Sequence, residues 1–242
     1  MVTATASRQP ALPPLEMRER RFFFGMALAL ALTVLIGFGL FIAVGISSFN
    51  APWWVHVHAV SFLAWIALYV QQNRLVLHGA LDQHRRLGQR GALLAGWMVT
   101  VGLVLTPVTL AAGRSPPFFT PAQFLALDWV NILVFAGLVA AALWLRRRTD
   151  WHRRLILSAT ICVIAPALGR MLVLAGVMSP WNNTLALLAY LAIAMLADWR
   201  IRGRVHPAYL CAAAALLAMG WSIDLLSTFP PLVTYAQALA VG

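Results

Sequence analysis

Seven long apolar runs follow one another along this chain, separated by short polar gaps. The runs cover about residues 22–48, 54–77, 88–111, 122–145, 155–177, 181–198 and 206–228. A helix needs about 20 apolar residues to cross a hydrocarbon core of about 30 Å. The first run, FFFGMALALALTVLIGFGLFIAVGISS after Arg21, would make roughly 40 Å of helix and span with tilt. It is too long for the apolar core of a signal peptide, and no convincing cleavage site follows, so it is expected to stay on the protein. The pattern predicts an all-α polytopic membrane protein with seven transmembrane helices in one domain. Residues 1–21, with Pro10, Pro13 and Pro14, are expected to be a flexible cytoplasmic tail. Residues 22–228 form the transmembrane domain. Residues 229–242, with Pro230 and Pro231, are expected to form a short external interfacial helix.

Composition sharpens this picture. The chain is 62% hydrophobic and 10% charged, far from a soluble domain. All 18 basic residues are arginine, giving a net charge of +11. Sixteen of them fall in the N-terminal segment or around the gaps after the second, fourth and sixth runs. Short cytoplasmic loops carry such an excess, so the N-terminus is predicted inside and the C-terminus outside. The charge then faces anionic lipid and not nucleic acid. Trp53, Trp54, Trp129 and Trp181 would mark the outer interface, and Trp144, Trp151 and Trp199 the inner one. Cys162 and Cys211 sit in separate apolar runs without a C-x-x-C motif, and both are expected to be buried as small apolar side chains.

One motif occurs twice. Asp82-Gln-His84-Arg85-Arg86-Leu87 returns 68 positions later as Asp150-Trp-His152-Arg153-Arg154-Leu155. Each copy opens a span from the arginine-rich side. Spans two–three and four–five are therefore expected to be two parallel copies of one hairpin, an arrangement that often places sites at the repeat interface.

Several chemistries can be weighed on residue types alone. A retinal Schiff base needs a lysine amine, and the chain has none. No P-loop or dinucleotide fingerprint occurs, and no large soluble segment that could drive transport with nucleotide. Ionisable groups inside a bilayer cost roughly 2.5–3.5 kcal/mol each, so they tend to face one another and to mark sites. His58, Ser61 and Trp65 share one helical face of span two; Asp128 and Asn131 share one of span four. Arg170 follows Pro166 and Gly169 in span five, and Asp224 lies in span seven. These seven residues are expected to line an outer-half polar pocket for a small ligand or for protons. The alternative is a structural ion pair between Arg170 and Asp128 or Asp224.

A second cluster, Asp82, His84, Asp150, His152 and His206, would lie on the cytoplasmic face, where it could bind a metal or an anionic headgroup. Its plainer reading is acids at helix N-termini and arginines at the interface. A b-type haem needs two histidines from different helices at matching depth. The outer half offers only His56 and His58, on one span, while the inner ends offer His78, His84, His152 and His206. A zinc hydrolase would take three or four protein ligands, and His58, Asp128 and Asp224 could supply three. That set loosely resembles the intramembrane ceramidase and adiponectin-receptor hydrolases, whose late paired histidines are missing here.

The run His58-Ala-Val-Ser-Phe-Leu-Ala-Trp65, Gln72, His84-Arg-Arg-Leu-Gly88, His152-Arg-Arg-Leu-Ile156 and Arg202-Gly-Arg-Val-His-Pro207 together resemble a family of uncharacterised bacterial multi-pass membrane proteins with paired H-R-R-L motifs. The likeness runs from about residue 55 to 230. It implies a bacterial inner-membrane location and brings no activity with it. The H-R-R-L-G element also resembles one in other bacterial membrane families, which supports a cytochrome-like helical scaffold. The functional expectation is a transporter-like protein, sensor or accessory subunit with an outer-half pocket. Its partners would be the bilayer and other membrane proteins or a second copy. A haem or metal enzyme, or a structural subunit of a membrane complex, are the alternatives.

Overall fold

The computed structural model describes residues 14–241. Among them are nine α-helices and no strand: α1 Pro14–Ala43, α2 Trp53–Leu77, α3 Leu81–Ala111, α4 Pro121–Trp144, α5 Thr149–Val163, α6 Ala165–Leu174, α7 Pro180–Arg202, α8 Pro207–Thr228 and α9 Pro230–Val241. Seven segments are long and apolar enough to cross a membrane, with α5 and α6 together making the fifth. The protein is an integral, all-α membrane protein.

The helices run past the apolar stretches at the arginine-rich end. α1, α3 and α5 begin at Pro14, Leu81 and Thr149, against expected starts near 22, 88 and 155. Arginine is a good helix former, and its long stem lets the charge reach water while the backbone stays helical. The expected tail therefore ends earlier than residue 21. Residues 14–21 are helical, and Glu19 within them is 1% exposed. The prolines Pro10 and Pro13 lie outside the described residues. At the other end α1 stops at Ala43, short of the expected 48, just before Gly45 at φ 77°. That left-handed conformation carries little penalty for glycine, which makes it a common helix terminator.

α4 is the central helix, packed against α3, α5, α8 and α9, while α1 lies on α2 and α6. Two prolines interrupt the neighbours of α4. A proline inside a helix leaves the carbonyl four residues earlier without its donor. Pro166 strips the Cys162 carbonyl, and the fifth span breaks at Ile164 into α5 and α6. Asn131 of α4 donates its amide to that carbonyl at 3.2 Å. Pro107 strips the Leu103 carbonyl of α3, and the Trp129 indole of α4 donates to it at 3.1 Å. Backbone freed by proline in a membrane helix must be satisfied by neighbours, and α4 does this on two sides.

α9 belongs to the bundle. Ala236 is fully buried with Leu110, Ala122 and Leu125, the ends of α3 and α4 opposite the arginines. The expected short helix is formed, with Ala236 packed on the bundle and most of its other residues exposed. Cys162 is buried as expected, but Cys211 is exposed on α8.

Candidate functional site

In the half of the bundle away from the arginine clusters, three helices each bring an ionisable residue to one region: His58 on α2, Asp128 on α4 and Arg170 on α6. α1 and α6 meet closely, since a Cβ at Gly37 would collide with the Ala167 backbone. This contact brings two rings of α1 under Arg170. Its guanidinium carbon lies 4.0 Å from the Phe38 ring centre and 5.4 Å from that of Phe41. Its Nη1 donates to the Pro166 carbonyl at 2.9 Å, while its buried Nε has no hydrogen-bond partner. A desolvated cation over aromatic faces gains about 2 kcal/mol, which offsets part of the burial.

Arg170 is the charged neighbour of both Asp128 and His58. Among the described residues it forms no ion pair with any acid. The expected Arg170–Asp128 or Arg170–Asp224 salt bridge is therefore replaced by a looser arrangement. Asp128 Oδ2 lies 3.1 Å from the Thr106 hydroxyl, which lies 2.8 Å from the Gly102 carbonyl. His58 stacks on Phe62, ring centres 4.3 Å apart. No hydrogen bond to its ring is formed within the described residues.

The other expected pocket residues are engaged elsewhere. Ser61 donates to Val57 and accepts from the Trp97 indole at 2.8 Å, tying α2 to α3. Trp65 is buried against Phe135 and donates to Thr160 at 3.3 Å. Asn131 repairs the break before Pro166. Asp224 lies on the exposed face of α8 beside Trp221, which is 71% exposed. It cannot complete a zinc site with His58 and Asp128. Among the described residues no three His, Cys, Asp or Glu side chains gather closely enough to hold a metal ion.

The arginine-rich end is built differently. The expected five-residue cluster divides into separate contacts. Asp82 makes an exposed ion pair with Arg85 at 3.4 Å. His84 and His152 are neighbours, and His152 Nδ1 is held 2.9 Å from the Ala142 carbonyl. His206 Nε2 is 3.0 Å from Asp150 Oδ2, and its ring packs edge-on against Trp151.

Beneath these lies a network that sequence reasoning missed. Arg154 is fully buried and forks onto both oxygens of Asp198, reaching Glu19 as well at 3.2 Å. Glu19 also accepts from Arg153 at 2.9 Å and from Arg202 at 2.7 Å. Asp198 accepts from the His206 backbone at 3.0 Å. The ion pairs join α1, α5 and α7, and the His206 contacts tie in the start of α8. Paired buried charges of this kind are structural fasteners, since removing one strands the others. One signal was available. Glu19 and Asp198 are two of only seven acids among 18 arginines, so guanidiniums were bound to surround any acid at that end.

The chain matches no protein-family model, no curated protein and no solved structure.

Proposed function

We propose that this is a bacterial inner-membrane protein that takes up protons or a small polar ligand at His58, Asp128 and Arg170, as a transporter-like protein, sensor or accessory subunit. In this reading the N-terminus is cytoplasmic and the C-terminus external, with the three residues in the outer half. The arginine asymmetry supports the orientation. The resemblance to bacterial multi-pass proteins with paired H-R-R-L motifs supports the location.

One observation carries the proton reading. The Thr106 hydroxyl has one proton and two acceptors, the Gly102 carbonyl and Asp128 Oδ2. An ionised Asp128 accepts that proton, and the Gly102 carbonyl keeps its helical donor, the Thr106 amide. A protonated Asp128 donates to the Thr106 oxygen while Thr106 donates to Gly102, and every group is satisfied. Asp128 is thus placed to exist in two states that differ by one proton. Arg170 stands near Asp128 without bonding it, and the unbonded His58 beside them is a second group able to carry a proton. This contrasts with the other end, where each buried carboxylate is fixed by arginine.

Infrared difference spectra of the purified protein across a pH step test the reading. The wild type should show a protonated-carboxyl band that vanishes in Asp128→Asn and shifts its titration in His58→Gln. Thermal unfolding of His58→Gln should stay close to the wild type. A spectrum unchanged by Asp128→Asn would refute proton uptake at this site.

A further inference from the structure

At the arginine-rich end a trough of about 540 Å³ runs between α1 and α7. Its floor and walls are Phe22, Ile193, Leu196, Ala197 and Ile201, and three arginines stand at its mouth: Arg18, Arg21 and Arg200. On α7 the residues 193, 196, 197, 200 and 201 recur at helical spacing, so one stripe passes from apolar to basic along the helix. On α1 Arg18, Arg21 and Phe22 share a face in the same way. The apolar part of the stripe remains open to the outside, with Ile193 52% and Leu196 45% exposed.

The three arginines differ from their neighbours. Arg20 donates to the Val76 carbonyl, and Arg153, Arg154 and Arg202 are bound to Glu19. Arg18, Arg21 and Arg200 make no hydrogen bond or ion pair among the described residues. Among the described residues none engages these guanidiniums. They surround the one end of a greasy trough where a helix bundle meets lipid headgroups.

We infer that the α1–α7 trough is a binding site for one anionic phospholipid. Its phosphate sits among Arg18, Arg21 and Arg200, and an acyl chain lies along Leu196 and Ile193. Basic pockets between spans recognise anionic headgroups in this way, whereas arginine binds a phosphate through paired donors. A free phosphate would use the arginines and leave the apolar stripe bare, and a zwitterionic lipid would cover the stripe and place a choline against three cations. Only an anionic lipid matches both parts.

The test is native mass spectrometry of the full chain released from detergent after exchange with phosphatidylglycerol or phosphatidylcholine. The wild type should retain one phosphatidylglycerol in preference to phosphatidylcholine, and inorganic phosphate should not displace it. The triple variant Arg18→Gln, Arg21→Gln, Arg200→Gln should retain it on the order of a hundredfold less well, from three lost charge contacts. Arg85→Gln with Arg90→Gln, exposed arginines on α3, should match the wild type. If the triple variant does not fold, Ala197→Trp decides the matter by filling the trough with all charges kept, and it too should lose the lipid. Equal loss in the α3 control, equal retention of phosphatidylcholine, displacement by phosphate, or full retention in Ala197→Trp would each overturn the site.

Discussion

The two copies of the D-x-H-R-R-L motif meet opposite fates. Both open a helix, with the aspartate as its second residue in α3 and in α5. In the first copy Arg85 and Asp82 form an ion pair with side chains 74% and 86% exposed, and Arg86 is exposed. In the second copy Arg154, the counterpart of Arg86, is fully buried between Glu19 and Asp198. The difference lies in the surroundings. α5 is enclosed by α1, α4, α7 and α8, whereas α3 stands against α2, α4 and α9 and presents its start to the outside. A short motif therefore specifies a helix start and a cluster of donors. Which acids come within reach is decided by helices far away in the chain.

The contrast predicts its largest effect at the matched arginines. Arg154→Ala leaves Glu19 and Asp198 buried with fewer partners and should lower stability by about 3–5 kcal/mol. Arg86→Ala should change it by less than about 0.5 kcal/mol, as for an ordinary surface site. Thermal and denaturant unfolding in one detergent would compare them. Equal losses would mean that the second copy is not the fastener it resembles.

The comparison extends up the two helices. Both are interrupted by proline, 23 residues after His84 in α3 and 14 residues after His152 in the α5–α6 pair. α4 repairs both, through Trp129 and Asn131. The two prolines therefore stand at different distances from their copies of the motif. Asn131→Leu should strand the Cys162 carbonyl and cost about 1–3 kcal/mol. In a Pro166→Ala background residue 166 regains its amide donor, and the same substitution should cost distinctly less. A double-mutant cycle reads this coupling, with about 0.5–3 kcal/mol expected for contacting groups. Additive effects would show that Asn131 packs without repairing the break.

These particulars show what was legible in the sequence. Seven spans follow from apolar runs long enough for a helix, which satisfies its own backbone in a bilayer. The cost of burying charge pointed to Arg170 seeking an acid, yet Arg170 turned to the Phe38 and Phe41 rings and the Pro166 carbonyl, with no ion pair to Asp128. Asp224 broke that argument: near the end of α8, beside Trp221, an acid reaches the surface and needs no partner. Asn131 was legible as polar and deep, but it answers a backbone carbonyl, a need created by Pro166 on the neighbouring span. Glu19 was hidden by its flanking arginines, which look solvated. Its partners Arg154 and Arg202 lie 135 and 183 residues away, and no local pattern connects them.

The smallest expected difference is also the most discriminating, because it compares the two aspartates. Asp82 bonds only its own helix, and isolated exposed pairs contribute between nothing and about 1 kcal/mol. Asp82→Asn should therefore leave stability unchanged within error. Asp150 is 44% exposed but holds His206 Nε2, a residue whose backbone amide also bonds Asp198 and whose Nδ1 accepts from Ala208 to start α8. Asp150→Asn keeps the shape and removes the charge that aligns this ring, so a loss of about 0.5–1.5 kcal/mol is expected from one weakened hydrogen bond. The loss should vanish in a His206→Ala background, where the ring is gone, while Asp82→Asn stays silent in both. An Asp150→Asn effect that persists without His206 would place the role of Asp150 in capping α5. The two copies of the motif would then differ only at their arginines.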